Sequence, residues 1–192
     1  MRSLIGAPSP MPSSDQVQHK VHFMAILQAF GQSFMQPDIT VFKQNLAALE
    51  QLNEKWKLYH KPAFIENLIE HFLTVWLQVI LHKSHDLLKE EIILAIFHMA
   101  NVDFNAFFKQ FLPVFLAKMQ DLDDNQREKL QQCFKEEIVS FNFKKKFQFK
   151  SILFYFQDLP TFTSNLNRFI GDLRYYKLCN ASLPAGSVSF SM

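Results

Sequence analysis

Residues His82 to Met119 read HKSHDLLKEEIILAIFHMANVDFNAFFKQFLPVFLAKM, and the fold follows from this stretch. Its first half sets Leu88, Ile92, Ala95, Ile96 and Met99 at the 3–4 residue step of one helical face, with Lys89, Glu90 and Glu91 towards the other. Its second half repeats the step with Phe104, Phe107, Phe108, Phe111, Phe115 and Met119. Asn101-Val102-Asp103 leaves room only for a tight turn, so the two helices are expected to pack antiparallel. Ser84 and Asp103 precede the periodic runs, where a side-chain oxygen takes up unpaired helix N–H groups. Pro113 deprives the Lys109 carbonyl of its usual partner, which predicts a kink. Two helices cannot bury both their faces in each other, so this pair needs neighbours.

The flanking chain supplies them. Upstream, Gln16 to Met35 reads as a helix with Phe23, Ala25, Ile26, Leu27 and Phe30 apolar; Gly31 weakens its end and Pro37 stops it. Asp38 caps a helix from Ile39 to about Tyr59, with Phe42, Leu46, Leu49, Leu52 and Trp56 as its buried stripe. Pro62 suits a first helical turn. The helix it opens runs to Leu81 with Ile65, Leu68, Ile69, Phe72, Val75, Trp76, Val79 and Ile80, a stripe wide enough to be buried on more than one side. Downstream, Asp123-Asp124-Asn125-Gln126 has the spacing of a capping box before a helix through Leu130, Cys133 and Phe134. The last helix begins near Pro160 and runs to about Leu178, with Phe162, Leu166, Phe169, Ile170, Leu173 and Tyr176 in step. Grouped in pairs, these helices start near Ile39, His85 and Asn125, intervals of 46 and 40 residues that match HEAT-type solenoids. The expected fold is all-α, a stack of antiparallel helical hairpins forming a HEAT-like α-solenoid fragment; a globular helix bundle is the alternative. Residues 1–15 are expected to be disordered, 16–178 to form the helical domain, and 179–192 to be a tail.

Composition narrows the function. The chain is 48% apolar with only 4 glycines, as a helical protein would be. A formal net charge of +2 does not point to nucleic acid or an anionic membrane as the main partner. Cys133 and Cys179 stand alone, which favours a reducing compartment. Phe72 to Leu81 is the best apolar run and is too short to span a bilayer, and MRSLIGAPSPMPSS makes a poor signal peptide. The expectation is a soluble intracellular protein without membrane insertion.

Candidate chemistry is sparse. His82 and His85 lie three apart across a helix boundary, with no Cys or carboxylate to complete a ligand set. Glu90-Glu91 and Asp123-Asp124 are adjacent pairs, suited to helix surfaces and caps rather than to converging on a cleft. The sequence holds no Gly-rich phosphate loop and no G-x-S-x-G. No catalytic, cofactor-binding or metal residue is assigned, no enzyme is expected, and no partner-binding residue can be named. The Phe stripe at 104–115 reads as core, becoming a partner patch only if one edge stays exposed. Residues 137–157 are atypical: Lys144–Lys146 lie among Phe141, Phe143, Phe147 and Phe149. The alternation suggests an unpartnered strand or a basic aromatic segment able to lie on a membrane surface.

Four stretches carry a more specific signal. PDITVFKQNLAALEQLNEKWKLYHK (Pro37–Lys61), ILHKSHDLLKEEI (Ile80–Ile92), VDFNAFFKQFLPVFL (Val102–Leu116) and LPTFTSNLNRFIGDLRYYKLCNASLPAG (Leu159–Gly186) closely resemble the C-terminal end of the exportin-6 family, karyopherins of the importin-β superfamily. The resemblance implies a HEAT-repeat nuclear export receptor that carries actin with profilin under control of Ran-GTP, meets nucleoporins, and shuttles between nucleus and cytoplasm. It brings no catalytic residues. In karyopherins the main Ran-contacting repeats lie near the N-terminus, so this chain is expected to be a C-terminal fragment or truncated product. The helix Gln16–Met35 would then be the second half of a hairpin. The family has almost nothing between the residues that Phe134-Lys135 and Asp158–Thr163 match; since Ile152–Gln157 can be encoded by a pyrimidine-rich tract ending in CAG, residues 137–157 are expected to be translated intron, with a lineage-specific loop as the alternative. The reading from a different class is a stand-alone helical scaffold or adaptor with no transport role.

Overall fold

A computed structural model describes residues 14–134 and 158–181, and every regular element among them is helical. The helices are α1 (Ser14–Ser33), α2 (Ile39–Trp56), α3 (Pro62–Asn67), α4 (Ile69–His82), α5 (Lys89–Ala100), α6 (Phe104–Ala117), α7 (Asp124–Gln132) and α8 (Leu159–Asn180). The expected segment 137–157, with Lys144–Lys146, lies outside the described residues, as do residues 1–13 and 182–192. The helix α8 runs to Asn180 and so takes in the first residues assigned to the tail.

The caps are local, and those of α2, α6 and α7 fall where the sequence places them. Asp38 accepts from the Thr40 and Val41 amides at the start of α2, and Asp103 from the Ala106 amide at the start of α6. Asp123 and Gln126 form a full capping box on α7. Asp158 accepts from the Thr161 amide, with Pro160 in the first turn of α8. Each satisfies N–H groups that the first helical turn leaves without partners.

Ser84 is the exception. Its backbone N–H is spent on the Val79 carbonyl, while Lys83 sits in the left-handed region at φ 55° and donates to Ile80, closing α4 in a Schellman-type turn. A 3-10 turn, Asp86–Leu88, then leads into α5, so no side-chain cap from Ser84 is made. Trp56 also departs from expectation: it is 53% exposed, with Lys55 over its ring. Lys57 takes a left-handed conformation at φ 53°, and the chain turns so that Leu58 and Tyr59 enter the core in its place. The helix expected from Pro62 to Leu81 breaks at Leu68, whose φ of −130° separates α3 from α4.

The largest correction concerns α5 and α6. The chain turns through 106° between them, nearer a right angle than a hairpin. Neither helix takes the other as its main neighbour. Instead α5 packs on α4, α8 and α2, and α6 packs on α7, which in turn packs on α8. The reason is Phe162 near the start of α8. It is fully buried, with its ring 5.5 Å from Phe97, 6.1 Å from Phe104, 5.8 Å from Phe107 and 6.0 Å from Phe134. The last helix thus fills the α5–α6 corner, so the two helices do not close on each other as a hairpin. A second aromatic cluster joins the N-terminal helices, where Phe34 meets Phe42, Phe72 and Trp76 at 4.9–5.9 Å. The all-α stack of helical hairpins stands, with the pairing shifted along the chain.

Pro113 is accommodated by a π turn. Phe107–Phe111 adopts π geometry, with the Leu112 N–H bonded to the Phe107 carbonyl, and α geometry resumes at Leu112–Ala117. The wider turn absorbs the missing amide just upstream of the proline.

Candidate functional site

Because α6 leaves α5 at a steep angle, a groove opens between their junction and the α3–α4 break. Leu68, Leu73, Met99, Ala100 and Phe107 are buried and form its floor. Ile65 and Val114, 41% and 46% exposed, stand at its lips, and its cavity is about 530 Å³. Glu66, Glu70 and Asp103 are the charged residues that line it. Lys118 reaches Glu70 at 2.8 Å, tying the end of α6 to the start of α4. The Phe stripe behaves as expected on its buried side, at Phe104, Phe107 and Phe115, while its other edge at Phe111 is half-buried and lines the groove. A second apolar slot is lined by Phe23, Trp56, Leu58 and Pro62.

Polar groups inside the stack join helices rather than build a catalytic centre. Glu50 on α2 accepts from the Tyr59 hydroxyl at 2.5 Å and pairs with His98 Nδ1 on α5 at 2.5 Å. The Glu50 hydrogen bond raises the His98 pKa, against an opposing effect of burial. Burial, reinforced by the Glu50 carboxylate, pushes the Tyr59 phenol far above its ordinary value. Burial also raises the Cys133 thiol, with the Asp172 carboxylate adding to it, which makes that sulfur a weak nucleophile.

Three arginines close helix C-termini contributed by other segments. Arg174 on α8 donates to the Ile80 carbonyl and, at 2.8 Å, to that of Leu81. Arg168 donates to the Cys133 carbonyl at 2.7 Å, and Arg127 to that of Met119 at 2.9 Å. Each cation meets carbonyls at the negative end of a helix dipole. In sequence these residues look like ordinary surface arginines, and no spacing marks their role.

The histidines separate. His82 is exposed in the last turn of α4, whereas His85 is buried with its ring 4.5 Å from Phe42. Among the described residues no group of three His, Cys, Asp or Glu is placed to hold a metal ion. Among the same residues no single helix is long and apolar enough to cross a membrane.

Comparison with known proteins identifies the architecture. The family model described as "Exportin-6, C-terminal TPR repeats" matches residues 3–179. The chain belongs to the exportin-6 family. It is 49% identical to human Exportin-6 and 47% identical to Exportin-6-A of Xenopus laevis, each over 92% of this chain and 14% of the relative. A more distant Exportin-6, from Dictyostelium discoideum, is 29% identical over 84% of this chain. The chain therefore spans about one seventh of the length of the relatives it matches. No solved structure matches it. TPR and HEAT repeats are alike stacked helical hairpins, the architecture observed here.

Proposed function

We propose that this chain is the C-terminal part of an exportin-6-type nuclear export receptor, carrying protein cargo, actin with profilin, out of the nucleus with Ran-GTP. One observation carries the reading: the family match runs through residues 3–179, from α1 to α8. The mechanism is non-covalent. Solenoid surfaces hold cargo, and changes of curvature between stacked helices couple cargo release to the nucleotide state of Ran. On this reading the protein shuttles between nucleus and cytoplasm, meets nucleoporins on the way, and needs no cofactor.

The test is a binding assay with the purified chain, actin–profilin, and Ran loaded with either GTP or GDP. Capture of actin–profilin by this chain supports the cargo part of the reading; capture that rises with Ran-GTP and not Ran-GDP would show that this part contacts Ran without the N-terminal repeats, against the expectation for a fragment. Absence of actin–profilin capture with either nucleotide would replace it with a helical adaptor that has no transport role.

A further inference from the structure

The groove lies at the α5–α6 corner, facing the break between α3 and α4. Its lips are apolar and exposed, Ile65 on α3 and Val114 on α6, over a buried apolar floor. Its volume of about 530 Å³ lies within the ~300–1,000 Å³ range of ligand-binding clefts. The charged side chains along it are Glu66, Glu70 and Asp103, all acidic, in a chain whose formal net charge is +2. The acidic rim is thus a local arrangement, not a reflection of overall composition. Asp103 uses one carboxylate oxygen, Oδ1, on the Ala106 amide. Among the described residues Glu70 pairs with Lys118, both side chains more than half exposed, in a contact that a competing cation can displace at little cost.

We infer that this groove binds an amphipathic helix whose apolar face is flanked by lysine or arginine. An apolar trough with two raised lips fits residues spaced i, i+3, i+4 and i+7, and an acidic rim selects basic flanks. The other common modes fit less well. Strand addition needs a free sheet edge, and the described residues contain no strand. Capture of a phosphorylated or acidic motif needs an Arg cluster, where this rim carries carboxylates. The π turn at Phe107–Phe111 contributes Phe107, Gln110 and Phe111 to the wall, so the proline that forces the turn also shapes the site. The inference stands on the groove alone and does not depend on the export reading.

The experiment titrates the full chain with a fluorescently labelled model peptide that has leucines at the i, i+3, i+4 and i+7 positions and lysines elsewhere. A second peptide has glutamate in place of every lysine. Binding of the lysine peptide is expected to exceed that of the glutamate peptide and to weaken with added salt. Val114→Glu should weaken it about tenfold, the scale of one anchor lost at an interface, and Glu66→Lys with Glu70→Lys should reverse the preference between peptides. Both lips are exposed, so each variant is expected to fold, which circular dichroism would check. Equal binding of the two peptides, or Kd values unchanged in both variants, overturns the inference. So does light scattering that shows the chain associating with itself through this face, with Val114→Glu making it monomeric.

Discussion

Replacing Phe162 with alanine tests the claim that α8 fills the α5–α6 corner. The ring is fully buried and lies within 6.1 Å of four other rings, contributed by α5, α6 and the segment after α7. Removing a buried phenylalanine costs about 3–5 kcal/mol when the cavity cannot collapse. Four ring contacts from three segments argue for the upper part of that range, since favourable aromatic pairs each add roughly 0.5–1.5 kcal/mol beyond area burial. We expect a loss of about 4–5 kcal/mol in urea titrations followed by circular dichroism, and a fall in Tm of roughly 10 °C or more. This is a large share of the ~5–15 kcal/mol that holds a domain together. Because the alanine variant could fail to fold, Phe162→Leu gives a second reading, with an expected loss of about 1–2 kcal/mol. A double-mutant cycle with Phe104→Leu should show coupling between α6 and α8. A loss below about 1 kcal/mol for Phe162→Ala, or additive effects in the cycle, would refute the reasoning, because α8 would then lie on the stack rather than fill its corner.

Other perturbations probe the connections between helices. Arg174→Ala should cost about 1–3 kcal/mol in chemical denaturation by stripping the Ile80 and Leu81 carbonyls of their donor, and Arg174→Lys should recover part of it. The His98–Glu50 pair predicts a pH dependence with a definite sign: a raised histidine pKa gives stability fully present below the unfolded value near ~6.5 and lost as pH rises through the folded value. With the imidazole over a third exposed, solvent screening keeps this below about 1 kcal/mol, and denaturation of His98→Gln across that window should show a flatter profile. A Cβ on Gly31 would lie 2.8 Å from His71 Nε2, the end of an exposed side chain that can swing aside. Gly31→Ala should therefore fall within about 1 kcal/mol of neutral, while Gly31→Leu should lower Tm clearly by separating α1 from α4.

The groove shows where inference from residue order stops. The apolar step of the Phe104–Phe115 run was legible, and so was the condition that an uncovered edge would become a patch. Which edge stayed uncovered was not. That depends on the angle at which α6 leaves α5, and the tripeptide Asn101-Val102-Asp103 permits both a hairpin and a corner. Ile65 reads as one more member of a buried stripe, yet the break at Leu68 leaves it at a lip. Val114 stands off the main stripe and carries no signal of its own.

Helix existence, caps and buried faces could be read from residue order because each is decided within one or two turns. Asp38, Asp103, Asp123 and Asp158 reach amides two or three residues away, and the periodic Leu, Ile and Phe residues define a face whatever they pack on. The arrangement of those faces belongs to the folded chain alone. Phe162 enters a corner formed by residues more than fifty positions upstream, and Arg174 finds its carbonyls 93 and 94 residues away. No spacing within a segment encodes such contacts, because they exist only once every helix has chosen the neighbour that buries its face best.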